Sequence, residues 1–290
     1  MKKITILIPV YNDWESLVKL LDEINLVIQD IKEFSFNCII VDDASSIKFT
    51  SIKLPKNITS LKIIHMKENR GHARCNAYGI KYMSETNEFD YLILMDGDGE
   101  DRPVEIKDLI KKISSNQSSS VVAKRIKRSE GFFFQTLYQL HKALVLIFTG
   151  KNINFGNYSC IINRDVKILS EKASLWSSFS GSFKKHIKNF NEINSIRGLR
   201  YFGPSKMSLY NLGIHSLAII AVFKKEVFLR STLLIICLSY LSLKINMMAI
   251  IAQILLVMFN LLIYLISLRE NENELNNSSL NKENSIDITH

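Results

Sequence analysis

Over its first 125 positions the chain alternates between short unbroken apolar runs and longer stretches in which apolar residues recur every three or four places. The runs are Ile4 to Val10, FNCIIVDD, LKIIHM, YLILMDGD and SSVVAKR. A strand covered on both faces reads as a continuous apolar run, and the helix-length stretches between the runs suit crossover helices. The pattern therefore predicts an α/β fold, a mainly parallel sheet flanked by helices, over residues 1–130. In the first helix Trp14, Leu17, Leu21, Ile24, Ile28 and Ile31 share one face, and Asn12 with Glu15 is spaced to form a capping box at its start. Pro103, preceded by acids, marks the start of the third.

Beyond residue 130 the pattern changes. Residues 131–226 contain two apolar segments, 131–148 and 205–225, the first broken by His141 and Lys142, the second with lysines near its start and at its end. They predict helices lying in a membrane interface, with ordinary core helices as the alternative. Val227 to Leu243 and Met247 to Leu268 are apolar runs of 17 and 22 residues, separated by Lys244, Ile245 and Asn246. At about 1.5 Å per residue each approaches the roughly 30 Å of a hydrocarbon core, the first marginally and with Arg230 able to snorkel. Residues 227–268 thus read as a two-helix transmembrane hairpin, against the competing reading of two buried core helices. Residues 269–290, rich in Asn, Glu and Ser, read as a disordered tail.

Charge sharpens the membrane reading. The chain carries a formal +9, and residues 124–230 hold 18 Lys or Arg against 5 Asp or Glu, directly before the apolar runs. Basic flanks mark the cytoplasmic side of spans, so the expectation is a multi-pass protein of the inner (cytoplasmic) membrane whose catalytic domain faces the cytoplasm. The N-terminal MKKITILIPVYND has too short an apolar stretch for a signal peptide and no small-residue cleavage site. Cys38, Cys75, Cys160 and Cys237 form no C-x-x-C pair, which fits a reducing compartment and argues against zinc. KRIKR (124–128) has no interleaved aromatics, which argues against nucleic acid and leaves substrate phosphate or membrane-surface charge.

In sheets of this kind ligands sit beyond the carboxyl ends of the strands. Those ends carry Pro9 to Asn12, Asp42-Asp43 and Asp96-Gly97-Asp98. No G-x-G-x-x-G follows a strand and no P-loop signature is present, which weakens nicotinamide, flavin and P-loop readings. YLILMDGDGEDRP sets four acids within six residues, and like charges this close call for a cation between them. Asp96 and Asp98 can turn toward one divalent ion if the chain bends at Gly97 and Gly99, and hard oxygen ligands select Mg²⁺ or Mn²⁺. Such an ion would neutralise charge on a departing nucleoside diphosphate. A lone D-x-D also occurs in solvated turns, so its neighbours matter. Asp42 and Asp43 can accept hydrogen bonds from a base or ribose, and Arg70 with Gly71 stands at the start of a helix.

In order and spacing, ITILIPVYND, IIVDDASS, NRGHARCNAYGI and YLILMDGDGEDRP resemble the family 2 glycosyltransferases of the GT-A fold, over roughly residues 3–130. VVAKRIKR, FGNYSCIINRDV and RGLRYFGPSKMS are similar, more weakly, to later blocks of the polyprenyl-phosphate sugar transferases, the dolichol-phosphate mannose synthase-like branch. The resemblance implies a metal-dependent, inverting glycosyltransferase that uses a UDP- or GDP-linked sugar. It implies Asp96, Asp98 and Glu100 as ligands of Mg²⁺ or Mn²⁺, and Asp96, Asp98 and Arg125 as the catalytic group. Pro9, Tyr11, Asn12, Asp42, Asp43, Arg70, Gly71 and Asp96 become donor contacts, Arg125 and Arg128 phosphate contacts. Arg128, Arg200, Ser205 and Lys206 would face the acceptor's phosphate. Two positions depart from the branch: Glu100 stands where Gln is usual, making the site more negative, and Asn157 where Asp is usual.

The acceptor follows from what is missing. A hydroxyl acceptor needs a general base within reach, whereas a lipid phosphate is already an anion. Between 131 and 200 the only acids are Asp165, Glu171 and Glu192, none in a paired setting, which favours an undecaprenyl- or dolichyl-type polyprenyl phosphate. The alternatives are a hydroxyl on a lipid-linked saccharide or cell-surface glycan, and a non-catalytic binding or scaffold relative. Lys206, beside Ser205 at a helix head, is placed for a lipid phosphate, while His215 on its apolar helix reads as structural rather than catalytic. Base and sugar are set by pocket shape that no motif encodes, and a homo-oligomer is left open.

Overall fold

The computed structural model describes all residues except 48, 50, 128–131, 205–207, 242–246 and 290. The predicted alternation is present: β1 (Lys2–Val10), α1 (Trp14–Ile28), β2 (Phe34–Asp42), β3 (Ser60–Met66), α2 (His72–Thr86) and β4 (Tyr91–Leu94). A single 3₁₀ turn opened by Pro103 leads into α3 (Ile106–Ser115). There follow β5 (Val121–Lys127), α4 (Phe132–Thr149), β6 (Phe155–Ile162), α5 (Asn163–Ser170), α6 (Phe179–His186) and β7 (Asn191–Ile196). The chain closes with α7 (Leu209–Ala221), α8 (Lys224–Leu241), α9 (Met247–Ser267), α10 (Glu272–Asn276) and β8 (Lys282–Thr289).

The strands form one sheet in the order β7-β5-β6-β4-β1-β2-β3-β8, in which only β6 and β8 run against the rest. Its mainly parallel character follows from helical crossovers, which cover both faces. Alternation along β1 divides the core. Ile4, Ile6 and Ile8 pack with Leu17, Leu21 and Ile24 of α1 and Leu109 and Ile113 of α3. Leu7 points the other way, into a second core with Ile80 of α2, Phe179 and Phe183 of α6 and Ile220 of α7.

Two expectations are corrected. The capping box does not form: Asp13 is the N-cap of α1 and makes no side-chain cap bond, because Asn12, at φ 51°, turns its Oδ1 to accept the Ile47 N–H at 2.9 Å. The tail is not disordered: α10 and β8 are formed, and β8 pairs antiparallel with β3 from Ser60 opposite Thr289 to His65 opposite Asn284. The physical reason is the edge of the sheet. Without β8, β3 would present a row of unpaired N–H and C=O groups, and backbone pairing there outweighs a polar composition.

α8 and α9 run side by side, joined by a hydrogen bond from Gln253 Nε2 to Ser239 Oγ of 2.8 Å, and expose rows of large apolar side chains such as Leu229, Leu233, Ile236, Ile254 and Val257. Among the described residues one helical segment, Met247–Asn276, which begins with α9, is long and apolar enough to cross a membrane by length and composition. α8 starts among Lys224, Lys225 and Glu226.

Candidate active site

The carboxyl ends of β1, β2 and β4 meet in one place, and the acidic turn after β4 is its centre. The turn is held by its own backbone: the Asp96 N–H donates to Asp101 Oδ2 at 3.0 Å and the Glu100 N–H to Asp98 Oδ1 at 3.0 Å. Gly99 has φ +88°, and the Tyr201 ring fills the space a Cβ would need, so both the turn and its cover require glycine there.

Each acid has a different cationic partner. Asp96 Oδ1 lies 3.0 Å from His72 Nε2 and accepts from Asn157 Nδ2 at 3.2 Å. Burial alone would raise the Asp96 carboxyl, but His72, Arg125 and the Asn157 amide hold it well below the usual carboxylate range. Asp98 accepts from Arg200 Nη1 at 2.8 Å, and the other arm of that guanidinium pairs with Asp13. Glu100 pairs with Arg197, and Asp101 lies 3.8 Å from Arg125. Even so, burial, reinforced by Asp96, raises Asp98 and pushes Asp101 up to about 7. Glu100 is raised as well, by burial and then by Asp98 and Asp96 against the pull of Arg197. Burial, and after it the closeness of the acids to one another, therefore outweighs the pull of the arginines on these three carboxyls.

The arginines arrive on the loop after β7, which is strapped to the turn: the Gly198 N–H donates to the Glu100 carbonyl at 2.8 Å and the Tyr201 N–H to the Asp98 carbonyl at 2.9 Å. Tyr201 also donates its hydroxyl to Glu23 at 2.6 Å, beneath Lys19. Buried Glu105 sets where this loop begins, accepting from Ser195 Oγ at 2.7 Å and from the Ile196 N–H at 3.0 Å.

At the carboxyl end of β2 the paired aspartates hold loops. Asp42 accepts the Ser45 N–H at 3.0 Å on one oxygen and lies 2.8 Å from His65 Nδ1 with the other. Asp43 accepts the Arg70 N–H at 3.0 Å and the Gly71 N–H at 2.9 Å, which fixes the entry to α2, where Gly71 has φ +89°. The Arg70 guanidinium stays at the rim, 3.4 Å from Glu68. The Asn12 N–H donates to Ser45 Oγ at 2.8 Å, Pro9 is buried beneath Gly97, and Tyr11 is partly exposed.

Pro9, Asn12, Asp42, Asp43, Arg70, Gly71, Asp96, Asp98, Glu100, Arg125 and Arg200 are thus gathered at the strand ends, while Arg128, Ser205 and Lys206 lie outside the described residues. Arg200 sits on the acidic turn itself. Among the described residues no three His, Cys, Asp or Glu side chains converge as around a metal ion, since separate cations draw the acids apart. His72, Asp13, Arg197 and Glu105 are additions to the expected set. His72 directly follows Arg70-Gly71, and Arg197 stands three residues before Arg200 in RGLRYFGP, so both lay inside segments already marked by motif.

The chain is similar to proteins already known by name or by structure. Undecaprenyl-phosphate 4-deoxy-4-formamido-L-arabinose transferase of Photorhabdus laumondii is 28% identical, the match covering 73% of this chain and 65% of that protein. The protein of the same name from Yersinia pestis (strain Pestoides F) is also 28% identical, over 73% of this chain and 64% of its own. The chain thus spans just under two thirds of the length of these relatives. Among solved structures, glucosyl-3-phosphoglycerate synthase from Mycobacterium tuberculosis, in complex with Mn²⁺, UDP-glucose and phosphoglyceric acid, superposes with a TM-score of 0.54 at 13% identity, over 78% of this chain and 80% of that one. The fold is therefore GT-A, as the resemblance implied. The sequence also matches Glycosyl transferase family 2 over residues 5–204. Because that match runs from β1 through the Arg197–Arg200 loop, and so takes in every strand that carries a site residue, the chain belongs to glycosyl transferase family 2.

Proposed function

We propose that the chain transfers a sugar from a nucleoside diphosphate sugar, UDP- or GDP-linked, to a polyprenyl phosphate at a membrane surface, with inversion at the anomeric carbon. The observation that carries this reading is the acidic turn of residues 96–101, which gathers four acids at the carboxyl end of β4, with the carboxyls at 98, 100 and 101 raised first by burial and then by neighbouring acids. Hard carboxylate oxygens suit a divalent ion, and Asp96, Asp98 and Glu100 would hold Mg²⁺ or Mn²⁺ once Asp98 and Glu100 are released from their ion pairs with Arg200 and Arg197. When bound, the ion supplies charge neutralisation to the departing diphosphate. His72 and Asn157 orient Asp96 through its Oδ1. Asp43 fixes the helix entry at Gly71, while Arg125, Arg197 and Arg200 would supply positive charge to the phosphates.

The acceptor reading draws support from the names of the curated relatives and from the acids of the acceptor-side region. Asp165 is buried and accepts from Ser120 Oγ at 2.7 Å, and Glu192 pairs with Lys124 at 3.5 Å, so neither is placed as a base for a hydroxyl. Membrane attachment draws support from the length and exposed apolar side chains of α9. β8 lies in the same sheet as β1, so the segment between α7 and β8 must leave and return on one side. A bilayer crossed by α9 is then crossed by α8 as well, which gives a hairpin, and the Lys and Arg excess of residues 124–230 favours the cytoplasmic face.

The test is to incubate the purified full chain in detergent with Mn²⁺ or Mg²⁺, a panel of UDP- and GDP-sugars and undecaprenyl phosphate, and to identify products by mass spectrometry. A glycosyl undecaprenyl phosphate is the expected product. Transfer only to saccharide hydroxyls would overturn the acceptor assignment, and no transfer from any donor would overturn the reading as a whole.

A further inference from the structure

β5 and β6 pair irregularly beside the site. Their register shifts between Val122 and Lys124, Lys124 lies opposite Phe155, and the Arg125 N–H donates to the Asn154 carbonyl at 3.0 Å. The next two residues of β6 meet the site in different ways. Asn157 sends its amide to Asp96, whereas Gly156 offers bare backbone, and the Arg125 guanidinium fills the space that a side chain would take. A Cβ at position 156 would stand 2.6 Å from Arg125 Nη2 and 2.9 Å from Arg125 Cζ, where ordinary contact begins at 3.4 Å. Gly156 does not have a positive φ, so its backbone conformation is open to any residue. A glycine within a strand weakens it and often marks a close approach, and here the approach is that of a charged side chain.

The side chain so seated is only 14% exposed. Its Nη2 lies 3.8 Å from Asp101 Oδ1, beyond hydrogen-bond distance, so that contact attracts the guanidinium without fixing its direction. Asp101 in turn accepts the Asp96 N–H at 3.0 Å through its other oxygen, which ties the seat to the acidic turn. Resting on the reading above in which Arg125 meets the donor's phosphates, we propose that Gly156 is a positioning residue for Arg125: lacking a side chain, it lets the guanidinium lie against β6 and so sets where that charge stands for a diphosphate. A methyl group at 156 would drive Nη2 back by about 0.8 Å, from 2.6 to 3.4 Å. For the end of a long side chain this is an easy move, so the fold tolerates it. For a contact between a fork of N–H donors and a phosphate it is a large one, since a misplacement of about 1 Å can cost up to about a hundredfold.

The test measures calorimetric binding of UDP and of GDP by the full chain in detergent with Mn²⁺, together with the melting temperature, for the wild type, Gly156→Ala, Arg125→Ala and the double variant. Gly156→Ala should bind whichever nucleotide the wild type takes about tenfold more weakly, yet melt no lower than the wild type, because alanine restricts the unfolded chain more than glycine does. Arg125→Ala should lose at least as much affinity, and the double variant no more than Arg125→Ala alone, since the alanine then has no guanidinium to displace. Unchanged binding in Gly156→Ala overturns the proposal and leaves the donor reading intact. So does a loss that persists in full when Arg125 is already alanine, or a Gly156→Ala chain that melts well below the wild type, either of which would make the glycine a requirement of the strand alone. Unchanged binding in Arg125→Ala, or a wild type that binds neither nucleotide, overturns the reading of Arg125 and the proposal with it.

Discussion

Asp101 is the carboxyl whose environment is least suited to charge. It is 4% exposed, it faces Asp96, and Arg125 at 3.8 Å relieves it only in part. The folded protein holds its proton more tightly than the unfolded chain does. Its contribution to stability is therefore complete below the ordinary value of 3.8 and is lost as pH rises through about 7. His72, raised by Asp96 against burial, acts in the same direction, while Asp96, held low, loses its contribution only toward strong acid. Without divalent ions, the melting temperature of the wild type should fall between pH 5 and pH 8. Asp101→Asn, which can still accept the Asp96 N–H, should flatten that fall and match or exceed the wild type at pH 8. Equal slopes in thermal melts of the two proteins would contradict this account of the turn. Much of the residue-scale chemistry was legible in the sequence because strand-end acids, glycines and arginines form local strings. What was not legible is partnership across the fold: that Arg200 pairs with both Asp13 and Asp98 depends on β7 delivering its loop to the far end of β1 and β4.

At the scale of elements, the internal strands were legible because burial on both faces leaves unbroken apolar runs, and α1 because its apolar face repeats at helical spacing. β8 was not, because its stabilisation lies in backbone bonds to β3 rather than in its polar side chains. The residues just before β8 also brace the loop that leads into α2 and the chain before α6. The Lys67 N–H donates to the Asn281 carbonyl at 2.7 Å, Asn281 Nδ2 donates to the Glu68 carbonyl at 3.0 Å, and Trp176 Nε1 donates to Glu274 at 2.6 Å. Deleting residues 282–290 should expose the β3 edge, lower the melting temperature by several degrees and promote aggregation, read by light scattering during the melt. A truncated chain that melts and scatters like the wild type would show that the strand adds nothing to the sheet.

At the scale of the molecule, one sheet ties both ends of the chain together, and the apolar α8–α9 pair is the excursion between them. The acidic turn and the apolar surface thus belong to one sheet-centred frame, an arrangement that suits the proposed transfer to a lipid. The sequence displayed both parts but not their relation, since the parity of the excursion is fixed only by the pairing of β8 with β3. The most direct test of the whole account is sugar transfer to undecaprenyl phosphate by the full chain with Mn²⁺, with EDTA, and with Asp98→Asn in Mn²⁺. The account predicts turnover with the ion and a loss on the order of a thousandfold both on chelation and in Asp98→Asn, with the variant still melting near the wild type. Turnover by Asp98→Asn at the wild-type rate would contradict it.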